Sequence, residues 1–283
     1  MKRGLIISLL LLSICVKAER RALIIGIGAY PDVDYGWHII NGDNDVLFAQ
    51  EIARSNGFAS QQMMSLVNGQ ATFQAITQAF HKLIQESLQG DLVYIHFSGH
   101  GQQITDLDGD EEDGYDEAWI PYDALQEPSD TYHGERHITD DLLNAWLKQL
   151  RAKVGKTGAI IVVSDACHSG TATRNISDTS VIRGTSASFK LSAQQQQYTK
   201  PRDLEWLSIS SCSDTECNRQ TKAQNGKPCG SLTYALYLLR TDLSHLTIEQ
   251  LPGILKETVN KLVPRPQTPQ VEYPYDHNQP LFP

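Results

Sequence analysis

Short apolar runs alternate with amphipathic segments along most of the chain. Runs rich in β-branched residues at 22–27, 92–97 and 160–163 are largely apolar on both faces, which is typical of buried parallel strands. Between them, apolar residues recur at helical spacing in 73–88 and 140–153. Strands that alternate with helices predict an α/β fold, with a mostly parallel central sheet and helices on both faces.

The same pattern predicts the remaining elements of the chain. They are a helix from 41–45 to about 56, strands at 63–66 and 204–211, a helix from 230, a helix at 247–263 and an extended tail at 264–270. Asn41, Thr72 and Thr139 are the kinds of residue that cap helix N-termini, and each stands before a predicted helix.

Two segments interrupt this alternation. Residues 102–122 form an acidic insert, and residues 171–202 contain few large apolar side chains, which predicts a mobile linker. We otherwise expect one domain over residues 19–283, because this length suits a single large core.

The first residues have the composition of an export signal. Lys2 and Arg3 precede an apolar run that is too short to anchor stably in a bilayer, and Ala18 closes a plausible cleavage site. We therefore expect residues 1–18 to be a signal peptide. The mature protein would be exported, to a periplasm or the medium, without a membrane segment.

The net charge of −9 at pH 7 narrows the expected partners. No basic run interrupts the acidic composition, so nucleic acid is not expected to be a partner. A negative field mildly favours cationic substrates through long-range attraction.

Two of the predicted core strands end in residues that carry chemistry. One ends in Ser98-Gly99-His100-Gly101 and the other in Asp165-Ala166-Cys167. Ligands of open α/β sheets bind at the carboxyl ends of strands, and a cysteine beside a histidine is an activated nucleophile. A buried structural thiol is the alternative for Cys167, whereas His96, inside its strand, is expected to be a core histidine.

These motifs, histidine before cysteine, resemble the catalytic motifs of caspase-like cysteine peptidases, most closely those of the metacaspase and orthocaspase branch. The resemblance implies a caspase-like three-layer sandwich and a monomer. It also implies that the chemistry requires no cofactor. It implies that Cys167 attacks the peptide carbonyl and that His100 activates the thiol or protonates the leaving amine. The backbone N–H groups of Gly101 and Cys167 would bind the oxyanion.

The resemblance also indicates a substrate pocket. Asp165 stands two residues before the nucleophile, where animal caspases have glutamine in a pocket for aspartate. A carboxylate there favours arginine or lysine. By resemblance, Asp45 and Ser98 match other pocket residues, and Asp214 would add a further polar contact. Asp45 fits equally well as an acidic residue at a helix N-terminus.

The acidic insert raises the question of a metal. Metacaspases carry a similar acidic hairpin and many need calcium, and the matching ligands here are Asp116, Asp140 and Asp141. Arg174 stands near the place of a further acidic ligand, which argues against calcium dependence. A solvated loop is the alternative, and an EF-hand is excluded because Glu111 occupies the position that requires glycine.

The cationic residues of the linker suggest self-cleavage, which is frequent in this family. They are Arg174, Arg183, Lys190, Lys200 and Arg202. An ordinary exposed loop would explain the same residues. The sequence also leaves open whether Cys217 and Cys229 form a disulfide in an oxidising compartment.

Together these observations predict an exported, monomeric cysteine endopeptidase that cuts polypeptides after arginine or lysine, with calcium as an activator. Three alternatives remain at this point. They are a peptidase of the same fold with acidic specificity, an inactive calcium-binding or scaffolding module, and a cysteine hydrolase of small amides.

Overall fold

A six-stranded sheet organises the protein in the computed structural model. The structure describes residues 18–31, 35–107, 109, 111, 113–167, 181–185, 187–192, 205–213, 216–274 and 279–283. The predicted signal peptide lies outside these residues except for Ala18, and so do Arg174 and Asp214.

The described strands and helices follow the predicted alternation. The strands are β1 (Arg20–Gly26), β2 (Met63–Val67), β3 (Leu92–Ser98), β4 (Gly101–Thr105), β5 (Tyr115–Trp119), β6 (Ile138–Thr139), β7 (Ala159–Asp165), β8 (Leu207–Ser210), β9 (Gln220–Lys222), β10 (Pro228–Gly230) and β11 (Gln270–Glu272). The helices are α1 (Gly42–Ser55), α2 (Phe73–Glu86), α3 (Asp140–Val154), α4 (Ser231–Leu238) and α5 (Leu251–Asn260). None of these helices is long and apolar enough to cross a membrane.

The central sheet has the strand order β11-β8-β7-β3-β1-β2. Every pairing in it is parallel except that of β11, which runs antiparallel to β8 at one edge. In the register of β3 and β7, Ser98 lies opposite Asp165. The two strands that carry the histidine and cysteine motifs are therefore neighbours and end side by side.

Both faces of the sheet are covered, which explains the continuous apolar strands. In β3, Val93 and Ile95 belong to the core formed with α2 and α3, whereas Leu92 and Tyr94 belong to the core formed with α1, α4 and α5. Successive residues of a strand point to opposite faces, so a strand between two helical layers needs apolar residues at every position. The three-layer α/β prediction is confirmed.

The start of α1 lies unusually close to the sheet. A Cβ atom on Gly42 would stand 2.4 Å from the carbonyl oxygen of Ser98, and one on Gly26 would stand 2.6 Å from the carbonyl oxygen of Gly42. These backbone atoms could not move aside, so glycine is required at both positions for the helix to approach. The approach carries the first turn of α1 to the carboxyl end of β3.

The acidic insert is an antiparallel hairpin of β4 and β5, extended by β6. Trp119 of this hairpin stacks on Phe97 of β3, with ring centroids 4.6 Å apart, and its Nε1 donates to Ser164 Oγ over 2.9 Å. The insert is thus fixed to the sheet beside the ends of β3 and β7.

The described part of the predicted linker is packed, which corrects the expectation of a mobile segment for those residues. Arg183 and Phe189 have no exposed surface. Phe189 N donates to Gln103 O over 2.7 Å, and Thr105 N donates to Phe189 O over 3.1 Å. Pairing with β4 therefore gives this polar segment a defined path that its composition does not indicate.

Smaller differences concern element ends. Thr72 and Thr139 accept hydrogen bonds from Ala75 N and Leu142 N as capping residues, but Asn41 makes no side-chain cap. The last helix begins at Leu251 rather than at 247, and the tail continues into β11 at 270–272. β11 was not predicted, because a three-residue edge strand carries too little pattern to be recognised.

A buried histidine directly before β6, His137, has a protonation state that should affect stability. His137 Nδ1 lies 2.8 Å from Tyr132 Oη, and Nε2 lies 2.9 Å from Gln102 Oε1. Burial lowers the pKa of His137 to about 4, from an ordinary value of 6.5. Acidification from pH 7 to pH 5 therefore protonates the unfolded chain more than the folded one, and folding stability must fall.

We expect His137→Asn to remove this dependence. The stability advantage of the wild type over the variant should shrink by about 2 kcal/mol between pH 7 and pH 5, as urea denaturation can measure. His133→Asn, at an exposed position, is the control and should leave the pH dependence unchanged. An advantage independent of pH would contradict the buried neutral state of His137.

Candidate active site

The candidate nucleophile and base stand at the same edge of the sheet. His100 follows β3 by two residues and Cys167 follows β7 by two residues, and the two strands are paired neighbours. The exposed fraction is 0% for His100 and 2% for Cys167. Parallel pairing thus brings together two residues that are far apart in the chain.

The surroundings of His100 select its neutral form. Its ring stacks on Trp37, with centroids 4.9 Å apart, and its Nε2 lies 2.8 Å from the carbonyl oxygen of His38. Burial, reinforced by the neighbouring His38, lowers the pKa of His100 to about 3. A neutral ring that donates from Nε2 carries its lone pair on Nδ1, which has no hydrogen-bond partner among the described residues. Nδ1 is therefore the atom able to accept a proton.

Cys167 is held by backbone contacts on both sides. Its N–H donates to the carbonyl oxygen of Arg183 over 2.7 Å, and its thiol lies 3.5 Å from the carbonyl oxygen of Glu216. The Cys212 thiol lies 3.5 Å from the same Glu216 oxygen. A hydrogen bond with Cys167, together with burial, raises the pKa of Cys212. Gly101, the other predicted oxyanion donor, opens β4 directly after His100.

The sequence left open whether Cys217 and Cys229 form a disulfide. Among the described residues, Cys167, Cys212, Cys217 and Cys229 are all buried, and no disulfide joins any two of them. Cys217 and Cys229 are therefore not joined by a disulfide in this structure.

Three of the predicted pocket residues converge on one buried site. Asp45 comes from the first turn of α1, Ser98 from the end of β3 and Asp165 from the end of β7, and none has more than 1% of its surface exposed. Ser98 donates to Asp45. Asp214, the fourth predicted residue, lies outside the described part of the chain.

A guanidinium group fills this pocket. Arg183 Nη1 lies 2.5 Å from Asp45 Oδ2 and 3.5 Å from Asp165 Oδ1, and it also donates to Ser98 Oγ. The sequence indicated Arg183 only as one of several basic residues in the linker. Its place in the pocket could not be foreseen, because it depends on a long-range contact.

Other pocket residues were missed in the sequence. Asn218 Nδ2 donates to Asp165 Oδ1 over 2.7 Å, and Gly230 N donates to Asp45 Oδ1 over 2.9 Å. Thr233 donates to Asp165 Oδ2 from both its backbone N and its hydroxyl, over 2.8 and 2.6 Å. The signal for the last two was the Gly-x-x-Thr helix start at 230–233.

Charge and burial act in opposition on the two carboxyl groups. Burial alone would raise the pKa of Asp165, but the charge of Arg183 and the hydrogen bonds from Thr233 and Asn218 hold it below the ordinary value. For Asp45, burial prevails over Arg183 and raises the pKa to about 6, with a contribution from the charge of Asp165. At pH 7 both groups are mainly ionised, so the pocket suits a cation.

The backbone near Arg183 is paired as well. Arg183 N donates to Asn218 O over 3.1 Å, and Gln220 N donates to Val181 O over 3.1 Å. His38 Nε2 lies 2.9 Å from the carbonyl oxygen of Ile182. Residues 181–183 therefore run antiparallel beside 218–220, next to Cys167.

The calcium ligands expected from the resemblance are placed in β5 and at the start of α3. Asp116 lies in β5, and Asp140 and Asp141 open α3. Among the described residues, carboxylate oxygens of Glu111, Glu117 and Asp140 lie within 4.8 Å of one another. The structure thus groups Asp140 with two glutamates rather than with Asp116 and Asp141.

Comparison with known proteins decides the family. The family model described as "Metacaspase, peptidase C14 domain" matches residues 20–175, more than half of the chain, including His100 and Cys167. This chain belongs to the metacaspase family.

Three relatives of this metacaspase are fungal proteins. Metacaspase-1 of Mycosarcoma maydis is 26% identical over 302 residues, covering 89% of this chain and 70% of the relative. Metacaspase-1A of Aspergillus fumigatus (strain Af293) is 34% identical over 161 residues, and Metacaspase-1 of Pyricularia oryzae is 41% identical over 104 residues. The chain covers only 36% and 23% of the lengths of these two proteins.

The fold of the metacaspase is also found in a solved structure. The crystal structure of protein GSU0716 from Geobacter sulfurreducens aligns with a TM-score of 0.63 and 25% identity. The alignment covers 93% of this chain and 98% of that one. The fold that this metacaspase shares with GSU0716 is therefore not confined to the residues that the family model matches.

A chain of hydrogen bonds anchors the metacaspase pocket in the core. Tyr94 Oη lies 2.8 Å from His96 Nδ1, and His96 Nε2 lies 3.1 Å from Thr233 Oγ1. Burial lowers the pKa of His96 to about 4, so its neutral ring accepts from Tyr94 and donates to Thr233. The Thr233 hydroxyl then donates to Asp165. His96 is thus a core histidine, as the sequence indicated.

Thr233→Val should break this chain while keeping the side-chain shape. His96 and Asp165 would each lose a buried partner, which we expect to lower the free energy of unfolding by about 1–3 kcal/mol. Thr233→Ser keeps the hydroxyl and should cost less than about 1 kcal/mol. Chemical denaturation measures both values, and a valine variant as stable as the wild type would refute the role of the hydroxyl.

Proposed function

We propose that this metacaspase is a cysteine endopeptidase that hydrolyses polypeptides after arginine or lysine. The observation that carries the proposal is the buried Arg183 guanidinium between Asp45 and Asp165. An arginine side chain fits the pocket, and the ionised carboxylates oppose an aspartate substrate. The same pocket therefore argues against caspase-like acidic specificity.

The proposed reaction proceeds through an acyl-enzyme. The Cys167 sulfur attacks the peptide carbonyl, and His100 Nδ1 takes the thiol proton and passes it to the leaving amine. The backbone N–H of Cys167, which already donates to a carbonyl oxygen, stabilises the oxyanion, with Gly101 as the second donor. Water then hydrolyses the thioester and releases the acid product.

Asp45→Asn tests the pocket at its closest charged contact. The variant removes one carboxylate charge, and we expect kcat/KM for arginine peptides to fall about 100-fold because a charge-assisted hydrogen bond is lost. Fluorogenic peptides ending in Arg, Lys or Asp measure the change and the selectivity.

Asp43→Asn is the matched control for that experiment. It removes the same charge from the same turn of α1, but Asp43 lies outside the pocket and faces Asn68 at 3.4 Å. We expect its kcat/KM to stay within about twofold of the wild type. Equal losses in the two variants, or preference of the wild type for Asp peptides, would disprove the basic specificity.

We extend the proposal to calcium as an activator. Glu111, Glu117 and Asp140 offer only carboxylate oxygens, the donors that suit a hard cation. Bound calcium would neutralise these carboxylates, and it would join the β4–β5 hairpin, which begins beside His100, to the start of α3. Calcium is not required for the proposed Cys–His chemistry itself.

The calcium proposal has a readout that does not depend on activity. A cation that binds only the folded protein raises its melting temperature, so calcium should stabilise the wild type. Asp140→Asn should reduce this shift and weaken calcium binding in titration calorimetry about tenfold or more. Asp130→Asn, at an exposed position, is the control, and equal calcium affinity in both variants would exclude this site.

Export is the last part of the proposal. The basic and apolar pattern of residues 1–18 supports it, and the first described strand begins at Arg20, just beyond the expected cleavage point. Removal of those residues would leave every described element in place. The mature protein would then act on exported or external polypeptides, as a monomer.

A further inference from the structure

A second sulfur lies beside the candidate nucleophile. Cys212 follows β8 by two residues, as Cys167 follows β7, and β7 and β8 are parallel neighbours in the central sheet. Their pairing continues past the strand ends, because Ser211 N donates to Ser164 O over 3.1 Å. Ser211 Oγ donates to Ala166 O over 2.7 Å. The two cysteines therefore stand on adjacent chain segments at one edge of the sheet.

Both thiols are directed at one carbonyl group. The Cys167 and Cys212 sulfurs each lie 3.5 Å from the carbonyl oxygen of Glu216, and a hydrogen bond joins the two side chains. Paired strands lie about 4.8 Å apart, and a disulfide spans about 4.4–6.8 Å between Cα atoms. A bond between these two sulfurs therefore fits the spacing of the strands that carry them.

The residue that supplies this carbonyl is held in place by the tail of the chain. Glu216 Oε2 accepts from Thr268 N over 2.7 Å, and Oε1 accepts from Thr268 Oγ1 over 3.1 Å. The backbone N of Glu216 donates to Ser213 O over 2.9 Å. A fixed acceptor thus keeps the two thiols side by side while no bond joins them.

The two sulfurs differ in reactivity. Cys167 is the nucleophile of the proposed reaction, and His100 Nδ1 takes its proton. Cys212 has a pKa above its ordinary value because of the hydrogen bond with Cys167 and because of burial, so it remains a thiol at neutral pH. Peroxides oxidise a thiolate far more readily than a thiol. Oxidation therefore begins at Cys167 and leaves Cys212 as an intact thiol beside it.

We propose that Cys212 is a resolving cysteine, which captures the nucleophile after its oxidation by a peroxide and forms a reversible Cys167–Cys212 disulfide. The inference rests on the proposed function for the reactivity of Cys167. It goes beyond that function, because it adds a site of modification and gives a role to a residue that the peptidase reaction does not use.

The step consumes one hydrogen peroxide and two thiols. The Cys167 thiolate attacks a peroxide oxygen, the O–O bond breaks, and the departing hydroxide takes the proton held by His100, which leaves a sulfenic acid and water. The Cys212 sulfur then bonds to the Cys167 sulfur, the S–O bond breaks, and the hydroxyl leaves as water with the Cys212 proton. The sulfurs lose two electrons, and the peroxide becomes two waters. A dithiol reverses the bond by thiol–disulfide exchange.

The disulfide would preserve the enzyme under oxidation. While the bond exists, Cys167 cannot attack a peptide, and reduction restores its thiol. A sulfenic acid that meets no thiol is oxidised further to sulfinic acid, which dithiols do not reduce. The pair thus makes the loss of activity reversible. This suits the export proposed above, because exported proteins meet an oxidising environment.

Peptide mapping of the full-length protein tests the bond without any measurement of activity. The reduced wild type is treated with hydrogen peroxide, its remaining thiols are alkylated, and it is digested under non-reducing conditions with trypsin and a protease that cuts after glutamate. Cleavage after Glu216 separates Cys212 from Cys217, so mass spectrometry distinguishes them as partners of Cys167. We expect the Cys167–Cys212 pair, and any other product at Cys167, or none, would overturn the inference.

Cys212→Ser tests the role of the second thiol. After peroxide has removed about nine-tenths of the activity on arginine peptides, dithiothreitol should raise wild-type activity about fivefold or more. Cys212→Ser should stay inactivated and carry a sulfinic acid on Cys167. Each protein is compared with its own activity before oxidation. Equal recovery of Cys212→Ser and the wild type would contradict the resolving role.

Cys217→Ser is the matched control for that experiment. Cys217 and Cys212 have the same exposed fraction, 9%, and both follow β8. Cys217→Ser should therefore recover as the wild type does, and its failure to recover would overturn the assignment to Cys212. The peptide map of the wild type decides the inference even where a variant folds poorly.

The two measurements separate this inference from the proposed function. A wild type that cleaves arginine peptides but forms no Cys167–Cys212 bond refutes the resolving role and leaves the function standing. A wild type that cleaves neither arginine nor lysine peptides refutes the function, and the peptide map still decides whether the bond forms.

Discussion

The buried contact between one guanidinium and two carboxylates is the constraint on which the active site depends. Asp45 and Asp165 are fully buried, and an isolated buried carboxylate is costly because it loses its hydration. The protein compensates with Arg183 and with hydrogen bonds from Ser98, Asn218 and Thr233. The charge of Arg183 offsets part of the cost of burying these carboxylates. The same physical need is the basis on which we propose that the pocket binds the basic side chain of a substrate.

Four elements must meet for this contact to exist. The first turn of α1 reaches the sheet because Gly26 and Gly42 have no side chains, and β3 and β7 end side by side. Gly230, directly before α4, faces the carboxylates. Each element is also anchored in the core away from the pocket. The hydrogen bonds from Tyr94 through His96 and Thr233 to Asp165 connect the core with the pocket. They position the Asp165 carboxylate before any substrate arrives.

The acidic hairpin of β4 and β5 is joined directly to the sheet edge that carries His100 and Cys167. β4 begins directly after His100, Trp119 of β5 stacks on β3, and α3 begins at Asp140 beside the hairpin. A ligand that orders the carboxylates of this region would therefore act on the segment that positions the imidazole. The linker residues near Phe189 pair with the same hairpin, and Arg183 of the same linker contacts Asp45 in the pocket.

The sequence by itself determined the layers and the chemistry. Apolar strands separated by helical segments predicted a sheet covered on both faces, and strand-end motifs pointed to His100 and Cys167. The resemblance of those motifs to a known family pointed to Ser98 and Asp165. Local pattern could not determine that Arg183 enters the pocket, that Glu111 and Glu117 approach Asp140, or that β11 closes the sheet. These depend on contacts between residues far apart in the chain, whose energy comes from burial and charge compensation rather than from local preference. Only the tertiary structure could therefore decide which of several linker cations faces the buried carboxylates.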